Sequence, residues 1–479
     1  MHRTAVVGLS CSLFLSAASL CSAQAPVTPL VIGQREDAAI NDVYFLDARH
    51  GWAVGERGAI WRTDDGGLRW SQSESGVSCG LSSVCFLDEQ RGWAAGGWTE
   101  PYTHLSHGVV LTTDDGGHSW QALNRTLLPA VRQIQFFSPT RGIAVGRTSP
   151  HAAAGVFVTD DGGRSWSPLS SDVRSTWLAA GLTSTDSGLL VGCDGVNATL
   201  AGRSLRHGKP VGDRLRGLTA VKLIDQRQAW GVGEGGLLVQ TTDAGKTWQT
   251  HAGRLPAGAE ACDFAAIEIV GDHVWIAGSP GSRLLHSTDR GKTFHWQSSG
   301  QSVPLRAIQF VDPRRGWAVG GLGTILATSD GGVNWRRQRG GGERAAWLAV
   351  VDRADRLPLE MIAQLSAGEG YLGVVHTIVR DDLEVPEAAD PNRRQREREA
   401  LIAAGASHAD AAWQFPARQP GLRLSPERIV DVWKADGQPG AARLEEHLVR
   451  QLRIWQPQVV VTHAASPRGE NPLGHVINQ

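Results

Sequence analysis

Seven copies of one short phrase constrain this chain more than any other feature. They read Trp52-Ala-Val-Gly55, Trp93-Ala-Ala-Gly96, Ile143-Ala-Val-Gly146, Leu189-Leu-Val-Gly192, Trp230-Gly-Val-Gly233, Trp275-Ile-Ala-Gly278 and Trp317-Ala-Val-Gly320. The closing glycines fall at 55, 96, 146, 192, 233, 278 and 320, steps of 41 to 50 residues. Most copies follow an alternating stretch such as Val43-Tyr-Phe-Leu-Asp47 or Ile308-Gln-Phe-Val-Asp312. A period of two marks a strand with one buried face. A repeat of this length with about four strands is expected to be one blade of a β-propeller; a linear β-solenoid is the alternative, though its rungs are usually shorter. Seven such blades fill residues 30–340.

A second phrase, Ser/Thr-x-Asp-x-Gly-x-x-Trp/Phe, closes six of the seven repeats. It runs Thr63 to Trp70, Thr113 to Trp120, Thr159 to Trp166, Thr241 to Trp248, Ser287 to Phe294 and Thr328 to Trp335. In the fourth repeat Ala201-Gly-Arg-Ser-Leu-Arg206 stands in its place. Asp and Ser/Thr oxygens accept turn amides, and glycine supplies backbone angles that other residues resist. The aromatic residue is then expected to tuck under the hairpin. Composition agrees with a turn-rich all-β chain, with 58 Gly and 18 Trp among 479 residues.

The 47 basic and 48 acidic residues balance to a net charge of −1. That excludes a general nucleic-acid coat, which needs surplus positive charge. Residues 1–23 read as a signal peptide: a short basic start at His2 and Arg3, an apolar run from Ala5 to Leu20, then small residues up to Ala23. The mature protein is expected to be exported, to the periplasm or the extracellular space. It keeps Cys79, Cys85, Cys193 and Cys262, read as small core or loop residues; the alternative is that Cys79 and Cys85, near in sequence, pair in an oxidising compartment.

The closing phrase is the Asp-box, or BNR repeat. Together with Arg91-Gly-Trp93 and Arg315-Gly-Trp317 it resembles the photosystem II stability/assembly factor family. That resemblance implies an exported or lumenal seven-bladed propeller that binds protein and assists assembly of a membrane photosynthetic complex. Sialidases share the Asp-box, but their Phe/Tyr-Arg-Ile-Pro phrase is absent, and only Tyr44 and Tyr102 lie in the propeller. The box aspartates recur in six repeats, whereas a catalytic pair would be singular. No catalytic residue is therefore expected in the propeller. A basic residue precedes the Trp/Ile phrase in five repeats: Arg49, Arg91, Arg141, Arg227 and Arg315. Equivalent positions in successive blades fall on one rim, a candidate docking face for an acidic protein partner; carbohydrate is the alternative ligand.

After Gly340-Gly-Gly342 the repeat stops. Residues 345–351, 371–379 and 459–462 read as strands, and 357–367, 393–404 and 441–455 as helices, an alternation that predicts a parallel α/β sheet. Order and local pattern, notably Arg453-Ile-Trp-Gln-Pro457-Gln-Val-Val-Val-Thr-His463, are similar to PIG-L-type N-acetylglucosaminyl deacetylases, zinc-dependent and Rossmann-like. The resemblance covers residues 343–479. No cofactor is expected; Asp352, Asp355 and His475, the last a shifted match, could still hold a divalent ion, zinc in that family. The family's His-x-Asp-Asp is here Asp352-Arg-Ala-Asp355, which removes the base position. The expectation is a multidomain, mainly non-catalytic binding protein: an all-β seven-bladed propeller followed by a degenerate α/β domain. A metal-dependent deacetylase is the enzyme alternative.

Overall fold

The computed structural model describes residues 33–479 except 101–102, 104, 124–127, 149–152, 172–174, 193–194, 212–216, 252, 341–344, 353–355, 379–392, 412–439 and 463–471. The proposed signal segment, Cys193, Asp355 and His463 lie outside the described residues. Seven four-stranded antiparallel meanders follow one another along the chain. Blade 1 comprises Ile40–Phe45, Gly51–Gly55, Ile60–Thr63 and Ser71–Ser73; blade 7 comprises Leu305–Phe310, Gly316–Gly320, Ile325–Thr328 and Arg336–Arg339. The repeated phrase is the second strand of every blade, wholly buried in blades 1, 3, 5 and 7.

The glycine that ends the phrase, and in blade 7 the glycine just before it, are required by close approach. A Cβ on Gly316 would lie 2.5 Å from the Phe310 ring, and one on Gly320 would lie 2.0 Å from the Pro304 carbonyl oxygen. The space left by the first glycine lets the inner-strand phenylalanine lie flat. The tryptophan of the preceding blade then covers its other side. Trp52 stacks on Phe86, Trp93 on Phe136, Trp275 on Phe310 and Trp317 on Phe45, with ring centroids 3.5–3.7 Å apart. Each of these indoles also donates Nε1–H to a glycine carbonyl in the next blade's Asp-box: Gly116, Gly162, Gly331 and Gly66 respectively. One indole thus satisfies its polar atom while burying its rings against the neighbour.

Blade 4 lacks the Asp-box, and the residue facing it from blade 3 is Ile143 rather than tryptophan. There Ile143 joins Leu190, Leu200 and Trp177 in one hydrophobic cluster. The blade 4 hairpin closes instead through Gly202-Arg203 between Ala201 and Ser204, with Gly202 at φ 63°.

The ring closes without exchanging a strand. The N-terminal strand Ile40–Phe45 is the inner strand of blade 1, and Arg336–Arg339 is the outer strand of blade 7. Side chains make the joint: Phe45 and Val43 pack with Trp317 and Val319, and Gln309 bonds both the N–H and the carbonyl of Phe45 at 2.6 and 3.1 Å.

Residues 345–479 form a second unit. Its parallel sheet runs in the order His408–Ala411, Gly373–Thr377, Trp347–Val351, Val459–Thr462. Helices Arg393–Ala403, Gly440–Trp455 and Pro472–Asn478 accompany it. The expected strands and two of the expected helices are present; the segment around 357–367 is instead a short turn of helix running into a π-helix, Ile362–Gly368. The strand His408–Ala411 was not expected from sequence. Of the two readings open for the cysteines, that of small core or loop residues holds: Cys79 and Cys85 are free thiols, and the possible disulfide between them is not formed. Cys85 points into the core beside Trp93 and Phe136, committed to packing.

Candidate functional site

In a four-stranded meander the first and third turns share one face of the disc, and the second turn and the interblade connection share the other. The five arginines sit in first turns and the Asp-boxes in third turns. They meet directly, since Gly66 N–H donates to the Arg49 carbonyl and Ala244 N–H to the Arg227 carbonyl. The residues preceding the arginines build the turns. Asp47, Asp88, Asp225 and Asp312 each accept two successive backbone N–H groups, from 49–50, 90–91, 227–228 and 314–315. Ser138 does the same for Thr140 and Arg141.

The arginine side chains divide into two sets. Arg91 pairs with Asp114 at 3.1 Å, Arg141 with Asp186 at 2.9 Å and Arg315 with Asp312 at 2.6 Å. Arg49 and Arg227 are exposed, with no carboxylate partner among the described residues. The face is therefore mixed in charge, with Arg49 and Arg227 among its exposed cations.

The Asp-box aspartates hold their own loops. Thr241 Oγ1 donates to Asp243 and accepts from Gly245 N–H, while Thr247 donates to Asp243 through both its N–H and its hydroxyl, at 2.9 and 2.6 Å. The two Thr247 donors pull the Asp243 carboxyl down to about 2. A carboxylate so committed is a turn element rather than a general acid. Asp47, His50 and Glu89 have ligand atoms within 4.8 Å of one another, but Asp47 is already occupied by the Arg49 and His50 amides.

The second unit sits over the opposite face. Arg57 donates to the Gly405 carbonyl, Arg450 to the Ala261 carbonyl and Ser302 to the Ile454 carbonyl. Arg147 bridges Thr99 and Glu399 at 2.6 and 2.8 Å. Val303 and Leu322 of the propeller enter one core with Leu348, Leu444, Ile454 and Trp455. Helix Arg393–Ala403 brings Arg398 to the channel mouth, where Arg398 and Arg306 both donate to Glu56 at 3.3 Å. A cavity of about 330 Å³ lies there, between the inner strands and the second unit. No motif marks this cluster, because its members come from residues 56, 132, 306 and 398, brought together only by the ring and its cap.

Of the residues implied as metal ligands, Asp352 is fully buried at the end of strand Trp347–Val351, and both its oxygens accept from Arg356 Nη1 at 3.0 and 2.9 Å. His475 lies on helix Pro472–Asn478, and Asp355 is outside the described residues. A guanidinium on Asp352 supplies the positive charge that a divalent ion would bring, so this donor set does not fit zinc well. His376 and His447 are stacked, with Nε2 atoms 2.7 Å apart, and burial together with His376 pulls His447 down to about 3. His408 is buried against Trp455.

Comparison with known proteins bears on the propeller. The family described as "Photosynthesis system II assembly factor YCF48" matches residues 31–176 and 216–304. The "Photosystem II assembly lipoprotein Ycf48" of Synechococcus sp. (strain CC9902) is 29% identical over 119 residues, 24% of this chain and 34% of that relative. The match thus spans about a third of the relative's length. Among solved structures, "YCF48 bound to D1 peptide" is 23% identical with a TM-score of 0.49, covering 61% of this chain and 92% of that one. "YCF48 from Cyanidioschyzon merolae" is 20% identical with a TM-score of 0.49, covering 61% and 96%. A GH74 xyloglucanase from Xanthomonas campestris is 14% identical with a TM-score of 0.48, covering 65% and 56%. The propeller is Ycf48-like and of the BNR type.

Proposed function

We propose that this chain is an exported, non-catalytic scaffold that docks a polypeptide partner on the Asp-box face of its propeller, in the manner of an assembly factor for a membrane complex. The observation that carries the reading is the division of the disc into two faces. The second unit covers the interblade face, and the Asp-box face presents Arg49 and Arg227 without acidic partners among the described residues. The family match to the propeller supports a partner of the photosystem-assembly kind. Basic groups on that rim favour an acidic segment, steering encounter more than adding affinity. We take residues 343–479 as a degenerate PIG-L-like domain, Rossmann-like in architecture, that stabilises the ring rather than hydrolysing an amide. The Asp352–Arg356 pair supports that reading. Affinity capture from the native organism, followed by capture with the arginines changed to glutamate, tests the proposal. Loss of a specific membrane-complex subunit is expected. Capture of glycans alone, or stoichiometric zinc with deacetylase turnover, would replace it.

A further inference from the structure

No covalent connection joins blade 7 to blade 1, so a ring of this kind would ordinarily open there first. Here that joint is doubly held. Trp317 stacks on Phe45 and bonds Gly66, and the second unit meets the same two blades through Arg57 and Leu322. Tryptophan–phenylalanine stacks of the same kind close the seams between blades 1 and 2, 2 and 3, and 6 and 7. Such rings dominate the energy of a packed seam, since each removes about 150–250 Å² from water. Between blades 3 and 4 the buried Trp177 donates to the Ala154 carbonyl at 2.7 Å, and between blades 5 and 6 Trp230, Phe264 and Phe294 are buried.

The seam between blades 4 and 5 is built differently. Among the described residues its buried core, which includes Leu189, Val191, Leu218, Val221 and Val239, holds no aromatic side chain, and Trp248 packs on it only partly buried. Leu189 stands where the stacked seams carry tryptophan, and Leu223 where they carry phenylalanine. Ala229 faces Leu223 in place of the glycine that lets a ring lie flat. The Ala244 carbonyl of the blade 5 Asp-box, the counterpart of Gly66, accepts from the Thr199 hydroxyl at 2.9 Å instead of from an indole. Arg57, Arg147, Ser302 and Leu322, which meet the second unit, lie in blades 1, 3 and 7 or next to them. Over blades 4 and 5 the second unit faces the cavity, whose wall there includes Leu178, Thr219 and Glu234. Local opening takes place where buried apolar contact is least. We infer that this ring opens along the seam between blades 4 and 5, beside the cavity, and not at the joint of its ends. Movement there reshapes the cavity wall while the second unit stays seated on the other blades.

Val191 of blade 4 and Val319 of blade 7 occupy the same position of the repeated phrase. Both are fully buried, one in the core between blades 4 and 5 and the other in the core between blades 7 and 1. The test exposes the full chain carrying Val191→Cys or Val319→Cys to a thiol reagent under native conditions. Peptide mass spectrometry then follows each site apart from the native cysteines. The expected result is labelling at least tenfold faster for Val191→Cys. Adding Trp317→Leu, which copies the residue type of Leu189, should bring Val319→Cys close to the Val191→Cys rate. If that chain does not fold, hydrogen exchange of the unaltered protein makes the same comparison, with Leu189–Gly192 exchanging at least tenfold faster than Gly316–Gly320. Equal rates at the two sites, faster labelling of Val319→Cys, or no effect of Trp317→Leu in a folded chain would overturn the inference. No partner takes part in these measurements, so their failure leaves capture on the Asp-box face intact, and the reverse also holds.

Discussion

Trp317 of blade 7 lies on Phe45 of blade 1 with ring centroids 3.5 Å apart and planes 8° from parallel, and its indole N–H reaches Gly66 of the blade 1 Asp-box. No strand is exchanged between the ends of the ring, so this sandwich and the Gln309–Phe45 hydrogen bonds carry much of the closure. Trp317→Ala should cost about 3–5 kcal/mol, the usual range for emptying a buried aromatic site. Urea unfolding checks it. The same change at the partly buried Trp70 should cost clearly less.

The Asp-boxes predict how the fold responds to acid. The carboxyls of Asp115 and Asp243 sit at about 2; at Asp115 burial opposes the shift and the Ser119 and Thr113 hydrogen bonds overcome it, and at Asp243 the Thr247 donors produce it. A carboxyl lower in the folded than in the unfolded chain stabilises above the unfolded value and loses that contribution as pH falls. Stability should therefore decline between about pH 4 and pH 2. Asp243→Asn should lower stability at neutral pH and flatten part of that decline, as read by denaturation midpoints across the range.

Docking of the second unit rests on a few charged contacts over an apolar seam. Glu399→Ala removes the carboxylate that lies 2.8 Å from Arg147, whose side chain is 4% exposed. Losing a buried charged hydrogen bond of this kind should cost about 2 kcal/mol. The expected sign is a separate, earlier transition for the cap in chemical denaturation, together with faster proteolytic release of residues beyond 345. A single unshifted transition would argue against this contact holding the cap.

The free thiols give a simple chemical check. Burial pushes the Cys79 and Cys85 thiols up to about 12 and Cys262 to about 11. Native protein should react slowly with thiol reagents at pH 8 and quickly in denaturant, and its intact mass should show no 79–85 disulfide. Reactivity follows thiolate content, which such values suppress.

The blades were legible because both repeated phrases are local turn and strand chemistry. Gly316 and Gly320 announce a close approach that any chain with this packing needs. What the phrases did for each other was hidden. The tryptophan of one blade bonds the box of the next, some 64 residues away for Trp52 and Gly116, and no spacing rule within a repeat shows that. Ile143 opposite the boxless blade 4 is one visible trace, since a missing acceptor and a missing indole fall at the same interface, whereas Leu189 of blade 4 faces the intact box of blade 5. The strand His408–Ala411 went unseen because Ser407-His-Ala-Asp-Ala411 has no β-branched residue and takes its conformation from pairing with Gly373–Thr377. The arginine cluster at the mouth left no local pattern at all. The rim arginines were found by register, but which of them are tied to acids is a property of side-chain geometry alone.

The account turns on the Asp-box face as the docking surface, and one capture experiment tests it most directly. Full-length protein and a variant with Arg49, Arg91, Arg141, Arg227 and Arg315 all changed to glutamate would be used to recover partners from the native organism, after circular dichroism confirms that both are folded. The account predicts that recovery of the specific partner falls at least tenfold in the variant. Recovery equal to that of the unaltered protein would contradict it.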